Sequence, residues 1–130
     1  MKELKLEKLT FSLMDDDGFI GCTYHSSAVI FKHDILEVIE KGKQIFGDSK
    51  KYFLVDFSKL GSVSEDARRF FASKEGATNV GAIAFIISNE ANREVAIEFL
   101  SQNQPHFPSA VFDKESPAID WLKHVKNRVV

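Results

Sequence analysis

Apolar residues along the chain recur at two spacings, every second residue or every third to fourth, and the succession of the two predicts the elements. Leu9, Phe11 and Leu13 alternate with polar neighbours, the flanks of Phe19 to Tyr24 do the same, and Asp15-Asp16-Asp17-Gly18 lies between them. That pattern predicts a hairpin of two half-buried strands joined by an Asp-Gly turn. Leu4 and Leu6 are out of phase with Leu9 and Phe11, so a bulge or a strand start is expected near Lys8. From Lys32 to Phe46, the apolar residues Ile35, Val38, Ile39, Ile45 and Phe46 share one helical face, and Gly47 is placed to end the helix. Tyr52 to Phe57 and Gly81 to Ile87 are near-continuous apolar runs, the pattern of central, parallel strands covered on both faces.

Between those two runs, Ser64 to Glu75 carries Ala67, Phe70 and Phe71 on one face and Arg68, Arg69 and Lys74 on the other, with Gly76 beyond. It reads as a crossover helix, right-handed by the usual rule. Glu90 to Gln102 presents Val95, Ala96, Phe99 and Leu100 as a second helix that Pro105 and Pro108 close off. Ala110-Val111-Phe112 is a short strand, and a last helix starting between Asp113 and Pro117 buries Ala118, Trp121 and Leu122. Lys123, Lys126 and Arg128 complement its carboxyl end. The predicted order is ββαβαβαβα, an α/β open sheet with an N-terminal hairpin, mostly parallel core strands and helices packed on the sheet. No repeat or linker composition interrupts the series, so residues 1–130 are expected to form one domain.

Composition refines this picture at three points. The 130 residues suit a single core, and 12 of them are Phe, large rings that fill a small interior without disulfides or metal. The net charge of −2 and the dispersed Lys and Arg residues argue against a nucleic-acid partner. Cys22 is the single cysteine, so no intrachain disulfide forms and a reducing compartment is expected. The charged start, Lys2 to Glu7, lacks the apolar stretch of a signal peptide, and Ala82 to Ile87 is far short of a membrane span. A cytoplasmic protein without membrane insertion is the expectation.

Candidate chemistry is sparse. His25, His33, His106 and His124 lie on different predicted elements, and Cys22 and His25, three apart on a strand, point to opposite faces; no metal or cofactor is expected. The Asp15–Gly18 stretch lacks calcium-loop spacing, because the twelfth position counted from Asp15 is Ser26 rather than Glu. No serine has a nucleophile-elbow context and no glycine run matches a phosphate loop. Fold physics favours one place, the carboxyl ends of the two central strands, where helix amides are exposed. There Ser62 and Ser64 lead into the helix that carries Glu65, Arg68 and Arg69, and Ser88 and Asn89 lead into the next one. Side-chain capping alone explains these residue types: Ser62 with Glu65 fits a capping box, and Ser64 or Asn89 caps equally well. Arg68 and Arg69 suit either an anionic partner or plain solvation. Phe107, in the polar segment Gln102 to Pro108, is expected to be a packing anchor.

Several stretches together resemble a known family. Leu54-Val55-Asp56-Phe57, Ala67-Arg68-Arg69-Phe70-Phe71, Ala82-Ile83-Ala84-Phe85, Phe99-Leu100 with Asn103, Pro105 and Pro108, Val111-Phe112, and Ala118-Ile119-Asp120-Trp121-Leu122 look like the small bacterial STAS-like proteins of the SpoIIAA-like fold. That fold is shared in outline with anti-sigma-factor antagonists and lipid-binding CRAL-TRIO domains. The resemblance spans Tyr52 to Lys123, and the first fifty residues match it in element order. In the antagonists a serine within Asp-Ser-x-Gly-Leu is phosphorylated and switches partner binding. Here Val63-Ser64-Glu65-Asp66-Ala67-Arg68 keeps a serine and lacks the glycine and leucine. Glu65 falls closest to the switch position, so the resemblance implies a permanently charged version of it.

Two functions follow as expectations. The first is a non-enzymatic regulatory or protein-interaction module that uses the helix after Ser64 and the strand-end loops, with a protein partner or self-association through an open hairpin edge. The alternative is a small-molecule binder, for a lipid, nucleotide or acyl group, whose Phe-rich interior forms a cavity of about 300 Å³ or more.

Overall fold

The computed structural model describes residues 3–14, 19–102 and 104–128. Eight strands and four helices follow in the order β1 (Glu3–Lys5), β2 (Leu9–Leu13), β3 (Phe19–Tyr24), β4 (Ala28–Ile30), α1 (Lys32–Phe46), β5 (Lys51–Asp56), β6 (Leu60–Val63), α2 (Glu65–Phe71), β7 (Val80–Ile86), α3 (Glu90–Gln102), β8 (Ser109–Phe112) and α4 (Glu115–Arg128). The main sheet runs β1-β2-β3-β5-β7-β8. Its first three strands are antiparallel, and β3, β5, β7 and β8 are parallel neighbours. The expected skeleton is therefore present, with the two apolar runs at its centre as β5 and β7. The Asp15–Gly18 turn lies outside the described residues.

Three short strands were not anticipated. The phase change near Lys8 is a separate strand, β1, turned back on β2 through a Leu6 N–H to Leu9 carbonyl bond of 2.8 Å. β4 and β6 pair in parallel as a two-stranded patch apart from the main sheet, with Val29 opposite Ser62 and Ile30 opposite Val63. Strands of three or four residues are too short for alternation to register in sequence. The expected helix from Ser64 to Glu75 is also corrected: α2 ends at Phe71 and residues 72–79 form turns. Ser73 Oγ donates to the Phe70 carbonyl and accepts from the Gly76 N–H at 3.1 Å, which diverts the chain out of the helix. Gly76 rests on the Phe70 and Phe71 carbonyls, where a Cβ has no room.

The two faces of the sheet are packed differently. On one, α4 sits directly on β5 and β7, because Ala82 and Ala84 let it approach and Ala118 and Leu122, both fully buried, fill the contact. Phe19 and Tyr52 meet edge-on beside it at 6.4 Å. On the other face the core is a phenylalanine cluster, in which Phe57 and Phe85 lie 4.8 Å apart and Phe71 meets Phe99 at 5.2 Å and Phe107 at 5.3 Å. Phe107 is a packing anchor, as expected.

Helix α1 covers the rest of that face loosely, reaching the cluster through the half-buried Val38 and Phe46. Among its residues Gly42 alone is buried, while Leu36 and Ile39 are exposed. Val95, expected to face inward from α3, is exposed too. α1 is held at its two ends. Near its start, Asp34 accepts a 2.8 Å hydrogen bond from Lys8 Nζ, and at its last residue Phe46 packs edge-on against Phe11 at 6.3 Å. Gly47, at φ 83°, then ends it in the left-handed region that glycine adopts without strain.

Candidate functional site

The residues singled out at the strand ends form caps and surface ion pairs. Ser64 is the residue before α2, and its Oγ accepts from the Ala67 N–H at 3.2 Å. Arg69 bridges Asp66 at 2.8 Å and Glu65 at 3.8 Å, all three being exposed. Asn89 Oδ1 accepts from the Asn92 N–H at 2.9 Å, and Ser88 Oγ lies 3.3 Å from Asn92 Oδ1. Ser62 is an exposed β6 residue and Arg68 is half-buried on α2. The segment Ser62–Arg69 is continuous on one edge, Ser88 and Asn89 belong to the neighbouring strand end, and none of the seven lines the cavity described next.

That cavity, of about 420 Å³, lies between α1 and the sheet. Cys22 on β3, Phe53 and Val55 on β5 and Ile83 on β7 form its floor, and Ile35, Val38 and Gly42 of α1 form its roof. Strand alternation explains the floor: Lys51, Phe53 and Val55 share one face of β5, while Tyr52 and Leu54 turn to α4. Gly42 explains the space, because a Cβ added there meets nothing within 4 Å. The roof runs from His33 to Lys43, a helix length of about 15 Å.

The polar groups of the cavity gather at its two ends. At the α1 amino end, Lys8 Nζ donates to Asp34 Oδ2 and to the Val29 carbonyl, each at 2.8 Å, and sits 4.9 Å from the Phe31 ring centroid. Asp34 Oδ2 also accepts from the Phe31 N–H at 2.8 Å, and its Oδ1 is 3.4 Å from His33 Nε2. Burial pushes the Asp34 carboxyl up, but the bonds from Lys8 and Phe31 and the charges of Lys8 and His33 together hold it below the ordinary carboxylate range. Tyr24 lines this end as well, and burial, with Cys22 and Asp34 nearby, pushes its hydroxyl up so that it stays protonated. Burial likewise pushes the Cys22 thiol up, which leaves a neutral wall group rather than a nucleophile.

At the other end stands Lys51, 8% exposed and the one charged residue buried among the described residues. Its ammonium donates to the Ser49 carbonyl at 2.9 Å. Burial lowers its pKa, Asp48 opposes that effect and Lys43 adds to it.

Asp34 makes stability depend on acid. Its folded pKa lies below the unfolded value, so its contribution is full above the unfolded pKa, about 3.9, and is lost as pH falls through the folded one. Asp34→Asn is expected to be less stable than wild type at neutral pH, with the gap closing as acid protonates the carboxylate in the folded state. Urea melts across that range measure it, and a gap independent of pH contradicts the assignment.

A six-stranded sheet with a parallel core, an antiparallel N-terminal hairpin and helices on both faces places the chain in the SpoIIAA-like class of α/β proteins. An uncharacterised protein of the DUF3478 family with a SpoIIAA-like fold, from Shewanella loihica PV-4, superposes with a TM-score of 0.60 at 14% identity, over 88% of this chain and 91% of that one. The chain itself belongs to the family described as Domain of unknown function DUF7793, whose model matches residues 13–126. No curated protein matches it. Among the described residues no helix is long and apolar enough to cross a membrane.

The cavity was foreseen only as an alternative, and its residues were not named. Two signals pointed to it. Gly42 interrupts the inward face of an amphipathic helix at a cost of about 1 kcal/mol relative to alanine, and Lys51 precedes an apolar strand in phase with its covered face.

Proposed function

We propose that this domain binds a small, largely apolar molecule in the cavity beneath α1. The observation that carries the reading is the cavity itself, whose 420 Å³ falls within the range of ligand sites, about 300–1,000 Å³. The space is partly open to solvent rather than sealed. In solution the space is filled, and an apolar body suits its walls better than water, which needs two to four polar partners. Binding rather than turnover fits the surrounding groups. Asp34 and Lys8 are committed to each other, and Cys22 is a protonated thiol.

The test is titration with Nile red, a neutral fluorophore, followed by displacement with decanol. Saturable binding at one site per chain, reversed by decanol with a Kd at or below about 100 μM, is expected for a ligand of this size. Fluorescence that does not saturate, or that decanol leaves unchanged, removes the reading.

A second reading, a protein-contact surface around Ser62, Ser64, Glu65, Arg68 and Arg69, is favoured by one further observation. Val29, paired with Ser62 across the small β4·β6 sheet, and Phe31, 44% exposed at the start of α1, are solvent-facing apolar side chains next to that edge. Such residues suit the centre of a partner contact, with the charged α2 residues as its rim.

A further inference from the structure

We infer that the molecule taken up beneath α1 is a single-chain amphiphile with a carboxylate head, seated with the head at Lys51 and the chain running along α1 toward Asp34. This rests on the cavity reading and adds the ligand's class and direction.

Polarity is unequal between the two ends. At the Asp34 end, cation and anion already meet: Lys8 is engaged by a carboxylate, a backbone carbonyl and an aromatic face. The lysine at that end is taken, and the Glu7 and Glu37 carboxylates that also line the cavity disfavour an anion there. At the far end the ammonium of Lys51 has three donors and one acceptor among the described residues, the Ser49 carbonyl. Asp48 is bridged instead to Lys43 at 3.5 Å. The Lys51 ammonium has no carboxylate within ion-pair distance among the described residues, and a carboxylate brought by the ligand supplies the missing acceptor through a charge-assisted hydrogen bond. Lys43 also lines the cavity at that end, but its bridge to Asp48 leaves Lys51 as the cation open to a ligand. Thr78 and Asn79 lie on the wall there, and the Asn79 carbonyl already anchors the Lys51 backbone N–H at 2.8 Å.

Size and shape agree with a chain. At about 30 Å³ per non-hydrogen atom in a liquid, the space holds about a dozen atoms, and the roof of about 15 Å suits an extended chain better than a ring system. Walls of Phe53, Val55 and Val38 offer hydrogen bonds to no part of it. A nucleotide, with several polar edges and more than one charge, fits neither the walls nor the single buried cation.

The experiment compares decanoate with decanol by calorimetric titration at neutral pH in the full chain, in Lys51→Gln, in Lys51→Arg and in Asp48→Asn. Wild type is expected to bind decanoate at least about tenfold more tightly than decanol. Lys51→Gln should lose most of that preference while binding decanol as before, and Lys51→Arg should retain it. Asp48→Asn removes the competing negative charge from an exposed position and should widen the preference several-fold, which keeps the test decisive even if a Lys51 variant folds poorly. Decanol bound as tightly as decanoate, or a preference that survives Lys51→Gln, overturns the carboxylate assignment and leaves the cavity reading standing. Binding of neither compound by wild type overturns both.

Discussion

Gly42→Leu is expected to weaken binding of any ligand beneath α1 by at least about tenfold while leaving the fold as stable as wild type or more so. The two halves of that result have separate causes. Gly42 is a buried helix-interior glycine whose added Cβ meets nothing within 4 Å. Replacing it removes the backbone-entropy penalty of a helical glycine, about 0.5–1 kcal/mol, and the leucine side chain enters the cavity rather than clashing with the sheet. It then occupies volume that a ligand of about a dozen atoms needs. Most large substitutions at buried positions destabilise through overpacking, by about 1–3 kcal/mol. A gain in stability with a loss of binding is therefore a signature of a ligand-sized space. Chemical denaturation and Nile red titration on the same preparation measure the two quantities. Destabilisation by more than about 1 kcal/mol places the sheet in contact with Gly42 and contradicts the account.

Leu122→Ala is expected to have the largest effect on stability, a loss of about 2–5 kcal/mol, near the upper part of that range because α4 rests directly on the sheet. Leu122 is 0% exposed and meets the alanine-lined strip of β7, so its removal leaves a void that the alanines cannot fill. The matched truncation on the opposite face, Ile39→Ala, is expected to cost under about 1 kcal/mol, since Ile39 is partly solvent-facing on a helix that spans a gap. The contrast tests the asymmetry of the two faces. Equal losses from the two variants mean that α1 is packed as firmly as α4. The midpoints of urea unfolding, taken with unchanged slopes, give both values.

This asymmetry also shows where sequence reasoning stops. The span of α1 is legible from its periodicity and from Gly47, and the apolar runs identify β5 and β7 as central strands. Periodicity states which side of a helix turns inward, however, and not whether anything fills the space it faces. Ile39 and Val95 belong to their helices' apolar sets and still meet solvent. The short strands β4 and β6 are held by a parallel pairing between segments some thirty residues apart, an interaction with no local signature. The strand-end residues Ser64 and Asn89 are legible as caps, and their side-chain oxygens do cap. Lys51 carried a usable signal, a charge in phase with the covered face of an apolar strand, because a buried lysine without an ion-pair partner is rare enough to mark a site.

The central claim is that α1 roofs a space that a chain-like ligand enters. A crystal structure of the protein grown with decanol measures it most directly. The account predicts continuous density for the chain between α1 and β5, beneath Gly42 and reaching from the Asp34 end toward Lys51, with α1 in place. Density absent from that space, with Val38 and Ile35 collapsed onto Val55 and Cys22, would contradict it.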